Sequence, residues 1–342
     1  MPILDLNNKK KVEEYDRFIE TSPFGNMMQS RAWSEVKNNW DYDYVYTEDE
    51  HGNINSALSI ISIQNDGKNS FMYAPRGPVC DPTNIDQIQL LLDEAAPVIE
   101  KRNGFLLRMD PEALHSEELV TLYKKAGYTV NASLEDASEG DYSNPPYNMI
   151  LRLEDKDIDD VFASYKRKDR SAIRKTYKDG LYTKIYDKDN DEFTQALINL
   201  NLLMQTVADR EDISLRNLDY LKRLANAFED VKIFETHHLD GEILSSGMVI
   251  SYNKKSFYIY AGSSNTYRNL NASLQMNHEA IQYAINNRYS EYDMGGIFST
   301  DSSKDGLYRF KRKFVREDDY TRYIGEIDVV YNNKLYNEFV KK

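Results

Sequence analysis

Lys311 is a cation in a place where a cation is costly. It lies in Gly306-Leu-Tyr-Arg-Phe-Lys-Arg-Lys-Phe-Val315, which at helical spacing divides into two faces. Arg309, Arg312, Lys313 and Arg316 form a basic, solvated face, and Leu307, Phe310, Phe314 and Val315 an apolar stripe. Lys311 falls on the apolar side, where a lysine either snorkels to water or meets something anionic or polar. In the second case it is a site lysine, suited to stabilising developing negative charge in a dry pocket. Asp110 ends the strand pattern Phe105–Met109, and alternation puts it on one face with Leu106 and Arg108. A carboxylate there can hold an ammonium or accept its proton. An unshifted Asp is a poor base at neutral pH, which favours substrate positioning; an ion pair with a neighbouring cation is the plainer alternative.

Other candidates are scattered. Lys37 sits among Trp33, Val36 and Trp40 at helical spacing, either a ligand-facing lysine or a solvated one. Arg216 reads as first-turn in a helix opened by Ser214, where the helix dipole disfavours a cation. Tyr220 follows one turn on, on the same side. Tyr260, in the strand pattern Tyr258–Tyr260, and Glu326, in Tyr323-Ile-Gly-Glu326, can equally be a sheet aromatic and a surface salt-bridge partner. No nucleophile motif and no metal-ligand spacing occurs, and the five histidines are dispersed. The lone cysteine, Cys80, has no activating neighbour and reads as structural.

These residues need a framework, and 342 residues with 41% hydrophobic content suffice for two domains. A net charge of −13 repels nucleic acid as a whole, so DNA is not expected and any polyanion must meet a local basic patch. Lys166–Lys178 offers one, with seven cations and one acid, either an RNA footprint or a solvated helix. One cysteine excludes a disulfide framework and fits a reducing compartment. No apolar run approaches a membrane span and the N-terminus lacks a signal-peptide core, so a cytoplasmic protein is expected.

Helices and short strands alternate, predicting an α+β fold. Helices are expected over 10–21, 29–39, 85–101, 116–126, 158–178, 191–206, 215–228 and 272–286. Strands are expected over 42–47, 55–63, 70–73, 105–109, 128–130, 149–153, 231–236, 243–252, 256–261 and 292–294. The acidic, Ser/Gly/Pro-rich run 132–146 is the linker candidate. Leu122–Val130 and Leu307–Val315 share a Leu-Tyr start and follow strands near Asp110 and Asp293 by similar intervals. This step resembles the end of the GNAT N-acetyltransferase fold and suggests a duplicated domain. A GNAT enzyme cradles the CoA pyrophosphate on a Gly-rich loop. The corresponding Tyr267–Ser273 has no glycine, so no cofactor is expected.

At this point the chain resembles the Fem-type peptidoglycan-branching aminoacyltransferases, and within them the FemX-like alanyltransferases. The likeness rests on Ala32-Trp33 through Trp40, Leu107-Arg-Met-Asp-Pro-Glu112, Tyr258-Ile-Tyr-Ala-Gly-Ser263, Tyr292-Asp-Met-Gly-Gly-Ile297, Leu307–Val315 and Tyr323–Asp328. It implies two tandem GNAT-like domains with an interdomain cleft and no coiled-coil arm. Domain 1 would comprise residues 1–147 and 322–342, binding the UDP-muramoyl peptide. Domain 2, residues 148–321, would meet the aminoacyl-tRNA. The implied reaction moves an amino acid, foremost L-alanine, from aminoacyl-tRNA to the lysine side chain of UDP-MurNAc-pentapeptide, by a monomer. Serine or glycine as donor, a lipid-linked acceptor, and a CoA-dependent acetyltransferase are the alternatives. By resemblance Lys37 and Arg216 bind the diphosphate, Tyr220, Tyr260 and Glu326 line the acceptor pocket, and Asp110, Phe310 and Lys311 form the reaction centre.

Overall fold

The structure, a computed structural model, describes residues 2–131, 143–301, 303–315 and 320–341. Most of the expected linker (132–142), and Arg316, lie outside the described residues. The chain divides into two compact units, Met1–Tyr147 with Arg322–Lys342, and Asn148–Thr321.

The first unit opens with α1 (Lys9–Thr21), capped by Asn8, whose side chain accepts the Lys11 amide. The helix expected over 29–39 is only α2 (Ala32–Val36), preceded by a 3-10 turn at Met27–Gln29. Ser30 and Ser34 bond their hydroxyls to backbone carbonyls three residues back, and Ser30 is extended, so the longer helix breaks. Strands β1 (Asp41–Glu48), β2 (Ile54–Gln64) and β3 (Ser70–Ala74) form an antiparallel meander. α3 (Ile85–Arg102) crosses over and returns the chain as β4 (Gly104–Met109), parallel to β3. Its apolar side, including Ile88, Leu91, Ala95 and Val98, packs in a core with Leu58, Met72 and Leu107. α4 (Glu117–Lys125) and β5 (Thr129–Asn131) follow.

In the second unit come β6 (Tyr147–Arg152), α5 (Ile158–Ser164) and α6 (Arg167–Lys178). The single helix expected over 158–178 is thus two, because Tyr165 and Lys166 adopt extended backbone. β7 (Tyr182–Tyr186), an edge strand the periodicity did not predict, precedes α7 (Phe193–Glu211) and α8 (Leu218–Ala227). β8 (Asp230–His237), β9 (Ile243–Tyr252) and β10 (Lys255–Ser263) form a second antiparallel meander. The β9–β10 turn is made by Asn253 and Lys254, both at positive φ, as a tight hairpin requires. α9 (Ala272–Asn286) then crosses to β11 (Glu291–Ile297), parallel to β10 over only three residue pairs. α10 (Gly306–Lys311), β12 (Thr321–Arg322), β13 (Glu326–Val330) and α11 (Asn333–Phe339) complete the chain.

The sheets run β1-β2-β3-β4-β13-β5 and β12-β6-β11-β10-β9-β8-β7. The C-terminal strand β13 therefore lies between β4 and β5, antiparallel to both. Each unit repeats one plan: an antiparallel three-strand meander, a crossover helix, a parallel strand, then a further helix. This is the GNAT-like plan that the resemblance implied. The longest helix among the described residues is α7, of 19 residues, and no long two-helix arm is present there. No described helix is long and apolar enough to cross a membrane.

Candidate functional site

In the second unit, Lys311 is the last residue of α10 and is buried. The apolar stripe differs from expectation. Leu307 is 49% exposed, whereas Tyr308, Lys311, Phe314 and Val315 face inward. The helix ends after six residues and the chain tightens into turns, so spacing drawn for a longer helix misplaces Leu307. Snorkelling is thereby excluded for Lys311. Its ammonium donates to the Gly296 carbonyl at 2.6 Å. Burial pulls its pKa down to about 8, opposed by the carboxylates of Asp293 and Asp305. Asp305 caps α10 by accepting the Leu307 and Tyr308 amides, and its other oxygen accepts Phe298 and Ser299. Gly295 has φ +78°, so the turn that brings Gly296 to the lysine favours glycine. A lysine so held is a cation whose proton is easily moved near neutral pH.

Phe310 is half-buried and packs edge-on against Phe314 at 5.7 Å. With Lys313 it lines a cavity of about 180 Å³ whose other walls include Ser263, Thr266, Arg268 and Ser273. This is the Tyr267–Ser273 loop. Tyr267 and Asn271 both take the left-handed backbone that glycines would supply in a phosphate loop. The missing glycines therefore do not prevent the turns. Lys313, its pKa lowered chiefly by burial, is also acted on by Asp169, Lys168 and Arg309, so the start of the basic helix α6 lies beside it. On α6 itself Arg170 is bound to the Ala163 and Tyr165 carbonyls, and Arg174 lies over Phe162, 4.9 Å from the ring centre.

Arg216, Tyr220 and Tyr260 are brought together. Arg216 is not in the first turn of its helix: α8 begins at Leu218 with Asn217 as cap, so the dipole argument does not apply. The guanidinium is exposed and lies over the Tyr220 ring at 5.1 Å, with Arg223 over the same ring at 5.6 Å. Tyr220 and Tyr260 meet edge-to-face at 6.1 Å. Burial raises both phenol pKa values, while Tyr220 and Arg216, by hydrogen-bonding Tyr260, pull the latter back. A bulge between Tyr258 and Tyr260 aims the second tyrosine. Gly262 admits α7 against β10 so closely that a β-carbon would stand 2.3 Å from the Leu203 carbonyl carbon. A cation stacked on a buried tyrosine that meets a half-buried one suits a diphosphate next to sugar or peptide.

In the first unit, Asp110 follows β4 and is 2% exposed. It accepts hydrogen bonds from the Tyr73 hydroxyl (2.8 Å), the Arg76 amide (2.6 Å) and the Asn144 side chain (2.9 Å). Burial raises its pKa, and the Arg76 charge is the largest opposing influence. Glu326 begins β13 and is buried, not at the surface. It meets the Arg108 guanidinium at 2.7 Å and accepts the Ser143 amide at 2.7 Å. Burial raises its pKa against the pull of Arg108. Tyr73 feels both Asp110 and Glu326, so these two candidates share one polar region. Lys37 is set by a different element, just past α2, half-buried with its ammonium 5.8 Å from the Trp33 ring centre. Cys80 is buried and its thiol is pushed up to about 12, an unreactive state.

Sequence reasoning missed Tyr73, Arg76 and Asn144 around Asp110, and Asp305 beside Lys311. The Asp305-Gly306 step ahead of a helical pattern is a cap signal that reveals the last. Tyr73 comes from β3, the strand paired with β4, and Arg76 and Asn144 come from loops; no local pattern encodes that they meet at Asp110.

A family model described as the FemAB family matches residues 11–240 and 231–341. The chain is 36% identical over 349 residues to a UDP-N-acetylmuramoylpentapeptide-lysine N(6)-alanyltransferase of Weissella viridescens, covering 100% of both chains. It is 25% identical to a lipid II:glycine glycyltransferase of Staphylococcus haemolyticus, covering 95% of this chain and 92% of that one. A crystal structure of FemX superposes with a TM-score of 0.86 at 20% identity, covering 99% of this chain and 100% of that one.

Proposed function

The chain belongs to the FemAB family, and from that premise we propose that it transfers L-alanine from alanyl-tRNA to the lysine side chain of UDP-MurNAc-pentapeptide. This is the first step of an interpeptide bridge. The carrying observation is the full-length 36% identity to the alanyltransferase. The tRNA donor follows from the family resemblance, and both proposed substrates being cytosolic puts the enzyme in the cytoplasm.

The chemistry asks little of the protein. The tRNA ester is already activated, so the acceptor amine must be aligned, lose a proton and attack the carbonyl. Alignment alone contributes roughly 7–11 kcal/mol in favourable cases. Arg216, Tyr220, Tyr260 and Lys37 are assigned to the UDP-linked acceptor, with Glu326 lining its pocket. Asp110, ringed by donors, orients the acceptor ammonium. Lys311 supplies positive charge to the tetrahedral oxyanion, and Phe310 with the neighbouring cavity takes the 3′ end of the donor. The basic helix α6 carries the preceding RNA backbone.

One observation favours a second reading: the Tyr267–Ser273 loop has left-handed turns beside a cavity, a place that a CoA pyrophosphate could also occupy. The deciding experiment incubates the protein with UDP-MurNAc-pentapeptide and tRNA charged with Ala, Ser or Gly, with acetyl-CoA in parallel. Product from alanyl-tRNA alone supports the proposal. Product from another charged tRNA changes the donor, and product from acetyl-CoA only replaces the reading.

A further inference from the structure

Arg76 has no part in the candidate set, yet it acts on Asp110 twice. Its backbone amide donates to Asp110 Oδ1 at 2.6 Å. Its guanidinium is the strongest cationic influence on that carboxylate. Two features show that the residue is built into this position. Its φ of +57° is a backbone region that side-chain-bearing residues enter rarely. Its side chain is 7% exposed, stacked over Tyr323 at 5.1 Å and donating to the Pro145 carbonyl at 3.3 Å. A buried guanidinium persists only when paired and hydrogen-bonded. Its anionic neighbours are Asp110 and Glu112, and Glu112 is itself held by the Asn26 side chain at 2.9 Å.

We propose that Arg76 is a positioning residue for the transfer reaction, its amide orienting Asp110 and its nearby guanidinium charge keeping that carboxylate ionised for the acceptor amine. This rests on the reading of Asp110 given under Proposed function. The groups around Asp110 each have a defined part. Tyr73 and Asn144 donate to Oδ2, and Asn144 also donates to the Tyr73 oxygen at 2.7 Å. Glu112 and Tyr323 face Arg76, and Glu326 reaches Tyr73. Tyr73 and Asn144 are neutral donors and would also bond a protonated acid. Without the Arg76 charge, burial drives Asp110 towards that protonated form, which cannot hold an ammonium ion.

The test is the pH dependence of kcat/KM for UDP-MurNAc-pentapeptide in the wild type, Arg76→Gln, Arg76→Lys and Asp110→Asn. Arg76→Gln is expected to move the acidic limb upward by about one pH unit, which is about a tenfold loss on that limb. Arg76→Lys restores the wild-type limb. A limb left in place by Arg76→Gln, or moved equally by Arg76→Lys, overturns the inference while Asp110→Asn remains inactive. Full activity in Asp110→Asn overturns it together with the role assigned to Asp110. The unmodified protein gives a second measurement that no folding defect can obscure. A carbon-13 carboxyl titration should find Asp110 ionised at neutral pH; a protonated Asp110 there overturns the proposal.

Discussion

Lys311 Nζ donates to the Gly296 carbonyl at 2.6 Å, tying the end of α10 to β11. The bond uses one of the ammonium's three protons and fixes where the charge sits. The duplicated framework does not demand a lysine here, because Leu122–Val130, the matching step of the first unit, has Ala126 at that place. A buried cation that the scaffold does not require is expected to serve chemistry. Replacing Lys311 by Met should therefore lower the single-turnover transfer rate about a hundredfold, the usual loss for an oxyanion donor. Affinity for UDP-MurNAc-pentapeptide, read by calorimetry, should be unchanged. Equal losses in rate and affinity would make the lysine structural.

The same residue sets a pH dependence. Burial brings Lys311 from 10.5 to about 8. Its ammonium is present below that value and lost above it, so single-turnover transfer should fall as pH rises through about 8. Arg in its place should keep the charge and remove that limb. For folding the sign is opposite. Between about 8 and 10.5 the unfolded lysine still binds its proton and the folded one does not, so this group makes stability rise with pH over that window. Urea unfolding of wild type and Lys311→Met across the window checks it: the variant should lose the rise.

Arg216 over Tyr220, and Tyr220 against Tyr260, make one stack, so their substitutions should not be additive. Arg216→Ala is expected to raise KM for the UDP-linked acceptor about tenfold, the cost of one charge-assisted phosphate contact of roughly 1.5 kcal/mol. Arg216→Lys should recover only part, since an ammonium lacks the planar fork. The kcat should hold. In a double-mutant cycle with Tyr260→Phe, coupling of at least about 0.5 kcal/mol is expected. Strict additivity would mean that the three residues act separately.

Long periodic elements were legible in the sequence, and elements set by tertiary contact were not. The pattern 272–286 coincides with α9, and the strands expected over 243–252 and 256–261 fall on β9 and β10. The break at Tyr165-Lys166 escaped because it interrupts no hydrophobic period. β13 escaped because its pairing partners, β4 and β5, lie some two hundred residues away in the chain. At the site, Arg216, Tyr220 and Tyr260 stand together, as one pocket would need. Glu326 is a partner of Arg108 in a buried network, not a surface group. Arg76 was invisible, since its value lies in a left-handed turn that nothing in Ala74-Pro-Arg-Gly-Pro78 announces as facing Asp110.

The basic helix α6 should make donor binding salt-sensitive even though the protein is acidic overall. Arg167, Lys168, Arg174 and Lys178 are exposed on it, and Lys168 lies near Lys313. Each phosphate that the helix neutralises should steepen the fall of log K with log salt by about 0.7 for single-stranded RNA. The double variant Arg167→Gln/Lys168→Gln should therefore weaken binding of charged tRNA and flatten its salt dependence. Its KM for UDP-MurNAc-pentapeptide should stay as in the wild type. An unchanged salt slope would leave α6 as an ordinary solvated helix.

The return of the C-terminal strand is held by a cation that faces two acids. Arg108 on β4 stands directly opposite Asp328 on β13 and grips it at 2.8 and 2.9 Å, with Glu326 at 2.7 Å. The side chains are 10%, 0% and 2% exposed, so this is a buried network and not a surface pair of small worth. Asn131 on β5 and Tyr336 on α11 also donate to Asp328, tying β4, β5 and α11 to β13 through one carboxylate. Arg108→Met leaves two buried carboxylates without their cation and should cost about 3–5 kcal/mol in urea unfolding. The triple variant Arg108→Met/Glu326→Gln/Asp328→Asn removes the stranded charges and should recover part of that loss. It should not recover the activity, if Glu326 lines the acceptor pocket. A triple variant no more stable than Arg108→Met alone would mean that the penalty comes from the arginine's packing against the stacked Phe71 and Phe339 rings, whose centres are both 6.0 Å away.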